Sequence, residues 1–355
     1  METDFLVIGG GVAGVSVGAA LSALGQVTLW EAEAQLGSHS SARSAAMFDE
    51  SYGLPPVIAL NRASRATHAA NGDLSPRGLL LIGLAGEEAV FDADLSRMYL
   101  TEIPLAEARG HVPILSEAVT RTAYDPDAFD LDTDAMQQRA LRVIRAAGGT
   151  VETGRPVTAM TRVAGGWQAL SGDQAVTARQ VVDAAGAWAD RVAALAGVTP
   201  LGLRPLRRSV ARIAAPAGSD PRGWPMLLGA GERWYAKPDA GALIVSPADE
   251  TPSEPMDAWP EEIDLAEGLD RYGRAVTAAP TRPLASWAGL RSFTPDRCLA
   301  LGPSEVAGFW WAAGQGGYGF QTAPAASRLL ADLIAGRPPV LDPATVAACD
   351  PARLI

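Results

Sequence analysis

Cysteine and histidine are nearly absent from this chain. Cys298 and Cys349 are the only cysteines, and His39, His68 and His111 the only histidines. Two cysteines make no disulfide framework and no metal-ligand spacing, and the histidines stand too far apart for a ligand motif, which argues against metal chemistry. No apolar stretch reaches the roughly eighteen residues that cross a membrane. The densest such run, Gly78–Gly86, reads as a strand. Positive charge is also in short supply. With 29 Lys and Arg against 40 Asp and Glu, the net charge is -11, which excludes a general affinity for nucleic acid or anionic membrane. The first apolar strand begins at residue 4, leaving no room for a secretory signal, so cytoplasm is the expected compartment.

What is there points to a two-domain α/β protein. The chain has 355 residues, 48% of them hydrophobic and 19% charged, enough to bury a large core. Its first turn carries the most information. Phe5-Leu6-Val7-Ile8 runs into Gly9, Gly11 and Gly14, followed at once by an Ala- and Val-rich segment. Gly9 permits a tight turn, Gly11 lets backbone approach a pyrophosphate, and Gly14 lets helix lie on strand. The helix N-terminus then presents unpaired N–H groups to an anion. Val27-Thr28-Leu29-Trp30 reads as the second strand, ending in Glu31, where an acid can accept hydrogen bonds from a ribose.

Further along, helices are expected over Pro55–Asn71 and residues 136–148, and strands within Val157–Ser171 and Gln180–Asp183. Between Arg204 and Gly289 short strands and Pro-rich loops suggest an inserted, largely antiparallel sheet. Gly314, Gly316, Gly317 and Gly319 then open a helix over about Phe320–Ala335. A strand–glycine–helix element at each end, with the Ala184-Ala185-Gly186 turn between, fits a cofactor longer than a mononucleotide, which favours FAD over NAD. The expected fold is a Rossmann-like, glutathione-reductase-like FAD-binding domain (1–77, 140–203 and 285–355). The substrate domain (78–139 and 204–284) is expected to be built on a mostly antiparallel mixed sheet.

Ordered matches along nearly the whole chain resemble the D-amino-acid oxidase and glycine oxidase superfamily, and within it the D-arginine dehydrogenase branch. They include HSSARSAAM (His39–Met47), ESYG (Glu50–Gly53), LSPR (Leu74–Arg77), DAAGAWAD (Asp183–Asp190), PLRRS (Pro205–Ser209), WAGLRSFTPD (Trp287–Asp296) and AAGQGGYGFQT (Ala312–Thr322). The resemblance implies non-covalent FAD held by Gly9, Gly11, Val12, Ala13, Gly14, Glu31 and Ala32. Ser38, Arg43, Ser44, Ala45 and Ala46 would follow its pyrophosphate and flavin edge. Val157 would meet the adenine, and Ala185, Gly186 and Trp188 would lie near the pyrophosphate. Gly316, Gly317, Tyr318, Gly319, Phe320 and Gln321 would cover the isoalloxazine. Sarcosine-oxidase relatives attach flavin through a cysteine near the place of Arg291, and Cys298 lies beyond it, so a covalent link is not expected.

The same likeness implies a carboxylate clamp of Arg291 and Arg208 completed by Tyr52 and Tyr235, with Gly317 and Gln321 beside the substrate amine. Two guanidinium groups suit a planar carboxylate. Two departures bear on the substrate. Leu79 replaces an acid that pairs with a guanidinium in the arginine-specific branch, and Met47 replaces a histidine. With Met226 and Leu228 the side-chain subsite becomes mostly apolar. The expected reaction is oxidative deamination of an apolar D-amino acid by hydride transfer from Cα to flavin N5. The products are a 2-oxo acid and ammonia, and no dedicated base is evident. A glycine- or sarcosine-type amine oxidase, a non-catalytic FAD-binding subunit or sensor, and an NAD-dependent dehydrogenase are the alternatives. The electron acceptor, oxygen or a quinone-like carrier, is left open.

Overall fold

The structure, a computed structural model, describes residues 2–355. Strands gather into two large sheets. In the first, the Glu2–Ile8 strand runs parallel to Val27–Trp30 on one side and to Gln174–Asp183 on the other. Thr150–Glu152 and Phe309–Ala313 extend the parallel order at the two flanks. Such a sheet is covered on both faces and reads as continuous apolar runs. Val7, Leu29 and Val182 face the helices Val12–Leu21, Thr133–Ala146 and Gly319–Ile334. Leu6, Ile8, Val181, Phe309 and Trp311 face the opposite core.

The second sheet has nine strands and is antiparallel except where Leu79–Leu84 runs beside Met226–Gly229. Its period-2 alternation decides the function of each face. Leu80, Ile82, Leu227, Ala236, Leu243 and Val245 enter a closed core on one side. Leu79, Leu81, Leu228, Tyr235 and Val210 point the other way, toward the first sheet's serine loop. A small sheet of Met47–Phe48, Phe129–Leu131 and Leu74–Pro76 stands beside the two.

Several local expectations shift. The Ala285–Phe293 strand, grouped with the cofactor unit by sequence, pairs with Arg204–Ala214 in the second sheet, from Arg204 opposite Phe293 to Arg212 opposite Ala285. The helix expected from residue 136 starts at Thr133, because the Asp132 carboxylate accepts from the Ala135 N–H and caps it. The first helix closes at Leu21, and Gly25 ends the turn after it by donating to the Leu21 carbonyl. Glu31 stands one residue past its strand, and Val157 in the segment before the Ala159–Val163 strand.

The glycine fingerprint is steric. A Cβ on Gly14 would lie 1.9 Å from the Gly9 carbonyl oxygen, and one on Gly9, whose φ is +108°, would lie 2.4 Å from that of Ala184. Gly14→Ala therefore forces helix and strand apart, at a cost of about 1–3 kcal/mol. The expected outcome is a lowered Tm together with a reduced flavin-to-protein absorbance ratio. A variant with the parent Tm and full flavin would show that the contact relaxes freely.

Candidate active site

Backbone hydrogen bonds shape the cofactor end. Gly9 N–H donates to the Trp30 carbonyl at 2.8 Å, closing the first turn against the second strand. Glu31 Oε2 accepts from Gly10 N–H at 2.6 Å and Oε1 from Glu33 N–H at 2.8 Å, so the carboxylate is fixed in direction. The Val12–Leu21 helix has no acid in its first turn, and its N-terminal Val12 N–H meets only the Ser41 hydroxyl, at 2.9 Å. That helix end is thus open to an anion.

Two adjoining cavities meet at Ser40 and Ser41. Together they form one continuous trough. The first is lined by Gly9, Gly11, Glu31, Ala32 and Ser38, with Val157, Ala185, Gly186 and Trp188 opposite. The second is lined by Val12, Arg43, Ser44, Ala45 and Ala46, and by the Gly316, Gly317, Gly319, Phe320 and Gln321 turn.

Three residues expected at the cofactor line neither cavity. Ala13 and Gly14 lie within the helix that packs on the sheet. Tyr318 stands edge-on to Tyr52 and Phe293, and burial pushes its hydroxyl up to about 12. Arg43 reaches the second cavity but is committed elsewhere. Its guanidinium pairs with Asp257 and donates to the carbonyls of Ala258 at 3.0 Å and Ala288 at 2.6 Å.

The second cavity collects every residue expected to handle substrate: Arg208, Arg291, Tyr52, Tyr235, Gln321 and Gly317, with Met47, Leu79, Met226 and Leu228. Strand register explains the convergence. Arg291 sits opposite Leu206, two residues before Arg208 on the same face, so the two arginines are diagonal neighbours, about 7–8 Å apart at their stems. Tyr235 pairs with Leu228, and Leu79 with Met226, on that same face. Arg291 Nη1 donates to the Tyr52 hydroxyl at 3.1 Å. A Cβ on Gly317 would come within 2.9 Å of Arg291 Nη1, so glycine there lets the guanidinium lie against backbone.

Arg208 donates from Nε to the Asp249 carbonyl at 2.9 Å and from Nη2 to Glu250 at 3.3 Å. Glu250 is gripped through both oxygens by Arg297, at 2.7 and 3.0 Å, and Arg297 lies 3.9 Å over the Phe293 ring. Burial would raise the Glu250 carboxyl, but the hydrogen bond and charge of Arg297, with Arg208 and Arg291, hold it below the usual range. Burial and the neighbouring Arg291 charge lower Arg208. Burial opposes the charge on Arg291 as well, yet the Tyr52 and Tyr235 hydroxyls more than offset it and raise that group. Two close cations in a buried pocket favour an anionic guest.

Sequence reasoning missed Asp49, Met98 and Glu232, which also line this cavity. The pocket is therefore not as uniformly apolar as expected. Asp49, which directly precedes the ESYG run, could have been suspected from that position. It accepts from the Ser51 N–H at 2.8 Å and hydroxyl at 2.7 Å, and burial pushes its carboxyl up. Glu232 has no sequence signal. Its backbone is left-handed, with φ of 53°, and its carboxylate accepts from Arg97 Nη2 at 2.7 Å. The bonds to Asp49 fall on Oδ1 and the ion pair to Glu232 on Oε1. Cys298 is buried away from both cavities, where its carbonyl accepts from the Thr294 hydroxyl.

The profile of the family described as "FAD dependent oxidoreductase" (DAO) matches residues 4–333. A glycine oxidase from Pseudomonas aeruginosa is 30% identical over 98% of this chain and 99% of its own length. A D-amino acid dehydrogenase from Ralstonia nicotianae is 37% identical over 23% of this chain and 21% of its own. The crystal structure of glycine oxidase from Geobacillus kaustophilus superposes with a TM-score of 0.83 at 25% identity, covering 97% of this chain and 98% of that one. L-proline dehydrogenase from P. horikoshii shares the fold, with a TM-score of 0.83 at 23% identity over 99% and 97% of the two chains. The chain belongs to the DAO family of FAD-dependent oxidoreductases. With no cysteine lining the trough, acid precipitation is expected to release all flavin absorbance into the supernatant. Yellow colour retained in the pellet would reveal a covalent link.

Proposed function

We propose that this flavoenzyme oxidises apolar D-amino acids at Cα. The observation that carries the reading is one sheet face on which Arg208, Arg291 and Tyr235 stand beside Leu79, Met226 and Leu228. The guanidinium pair binds the substrate carboxylate by charge-assisted hydrogen bonds, and the Tyr52 hydroxyl, already held by Arg291, completes the grip. Anchored there, an amino acid directs its side chain along the Met47–Leu79–Met226–Leu228 wall and its amine toward Gln321 and the Gly317 carbonyl.

Bound FAD supplies the two-electron acceptor that takes a hydride from Cα. The protein's own contribution is positioning, which accounts for much of the acceleration in such a step. Loss of hydride and an amine proton leaves an imino acid, which water hydrolyses to a 2-oxo acid and ammonia. Asp49 and Glu232 are occupied by Ser51 and Arg97, so the reading needs no strong base in the pocket. Along the Met47–Leu79–Met226–Leu228 wall a guanidinium or ammonium on the substrate would meet thioether and aliphatic groups, at a cost of a few kcal/mol. A second reading, oxidation of glycine or N-methyl glycine, is supported by likeness to a full-length glycine oxidase.

Anaerobic bleaching of the flavin by a panel of D-, L- and N-methyl amino acids separates these readings. D-methionine, D-leucine and D-phenylalanine are expected to bleach it faster than D-arginine or D-lysine. D-arginine ranking first would refute the apolar pocket, and glycine or sarcosine ranking first would select the second reading. Arg291→Met should raise KM strongly and lower kcat/KM by more than tenfold, about 1.4 kcal/mol, while flavin stays bound. A smaller effect removes Arg291 from the clamp.

A further inference from the structure

The Pro55–Asn71 helix carries a buried polar stripe that the reaction leaves unused. Asn61, Ser64 and His68, at spacings of three and four, share one face, and all are 0% exposed. Burying polar groups is costly unless each meets a partner. Their partners lie at the active site. Asn61 Nδ2 donates to the carbonyls of Glu50 at 3.2 Å and Tyr52 at 3.1 Å, holding the segment that carries Tyr52. Ser64 Oγ donates to the Thr322 carbonyl at 3.3 Å and accepts from Ala325 N–H at 3.1 Å. His68 Nε2 lies 3.0 Å from the Gln321 carbonyl.

The last two contacts lie beside a defect in the Gly319–Ile334 helix. Pro324 lies inside it and has no N–H for the Phe320 carbonyl, and a proline ring crowds the carbonyl four residues back. The first turn, which carries Phe320 and Gln321 on the cavity wall, is therefore the weak end of its own helix. The neighbouring helix supplies side-chain donors to the next two carbonyls, those of Gln321 and Thr322. Behind His68, Nδ1 lies 3.2 Å from Asp73 Oδ2, and Asp73 Oδ1 accepts from Arg139 at 2.7 Å. Each ring nitrogen thus faces an oxygen, the Gln321 carbonyl on one side and the Asp73 carboxylate on the other. Phe48 stands edge-on to the ring and fixes its plane.

We infer that His68, backed by Asp73 and Arg139, is a positioning residue that holds the first turn of the Gly319–Ile334 helix, and with it Gln321, against the flavin. The inference rests on the placement of the isoalloxazine beside that turn. A helix N-terminus stabilises negative charge, and the reduced flavin carries more of it than the oxidised ring. A displaced turn therefore weakens the preference for reduced over oxidised FAD.

The test is the two-electron midpoint potential of the purified holoprotein, which needs no substrate. His68→Leu is expected to weaken the preference for reduced flavin about tenfold, a potential about 30 mV lower. His68→Gln restores a donor to the Gln321 carbonyl and should recover at least half of the shift. Gln321→Leu reports separately on whether the turn faces the flavin. If Gln321→Leu moves the potential and His68→Leu does not, positioning by His68 is overturned while the flavin placement stands. If neither moves it, the placement itself fails, and the inference with it. His68→Gln behaving like His68→Leu also overturns the inference. Should His68→Leu fail to fold, Ser64→Ala carries the test, with a threefold shift expected and an unchanged potential refuting it.

Discussion

Two guanidinium groups held side by side out of water repel one another, and much of the active site is arranged around that cost. Arg208 and Arg291 sit on adjacent strands of one sheet face, and burial together with the Arg291 charge lowers Arg208. Partial compensation comes from outside the cavity. Glu250 leans on Arg208, but Arg297 takes both of its oxygens, so the carboxylate is shared and cannot neutralise the pair. Arg291 is supported by the Tyr52 and Tyr235 hydroxyls and, more weakly, by the Glu232 charge, and lies against the open backbone beside Gly317. What remains is a deficit of negative charge in a confined space, which on the proposed function a substrate carboxylate would supply. Binding energy of this kind fixes orientation as well as affinity, because a planar acid between two forks has few poses.

Much of this was legible in the sequence because strand alternation is strict. Within each strand period 2 sets which side chains share a face, but it takes the pairing register to bring Arg208, Met226, Tyr235 and Arg291 together. The glycine turn was legible for a similar reason, since contacts of 1.9 and 2.4 Å tolerate no side chain at Gly14 and Gly9. The resemblance supplied roles that spacing alone could not, such as the pairing of Tyr52 with Arg291.

What escaped the sequence reading are contacts made across loops. Glu232 enters the cavity because a left-handed backbone turns it inward, and because Asp94 holds both Arg97 and the Gly231 N–H. No local pattern announces that. Arg43 looked like a phosphate ligand within the serine loop, yet its partners Asp257, Ala258 and Ala288 lie more than two hundred residues away. The Ala285–Phe293 strand was assigned by chain order to the wrong sheet, since only tertiary pairing with Arg204–Ala214 locates it. His68 carried no signal beyond its distance from the other two histidines. Its meaning appears only when Pro324, far along the chain, is seen to leave its helix short of a donor.

These long-range contacts also tie cofactor to substrate unit. The Arg43 guanidinium bridges the serine loop to the 257–258 segment, Arg191 meets Glu254, and Trp188 packs with Met256. Each exposed ion pair is worth little alone. Their common feature is location: Arg43, Trp188 and Arg191 all line the dinucleotide trough. A ligand that fills the trough orders side chains that at the same moment hold the second unit's loop. Anything that binds only the folded arrangement stabilises it in proportion to the logarithm of its concentration over Kd. Filling of the trough and the contacts between the two sheets are therefore linked through the residues they share.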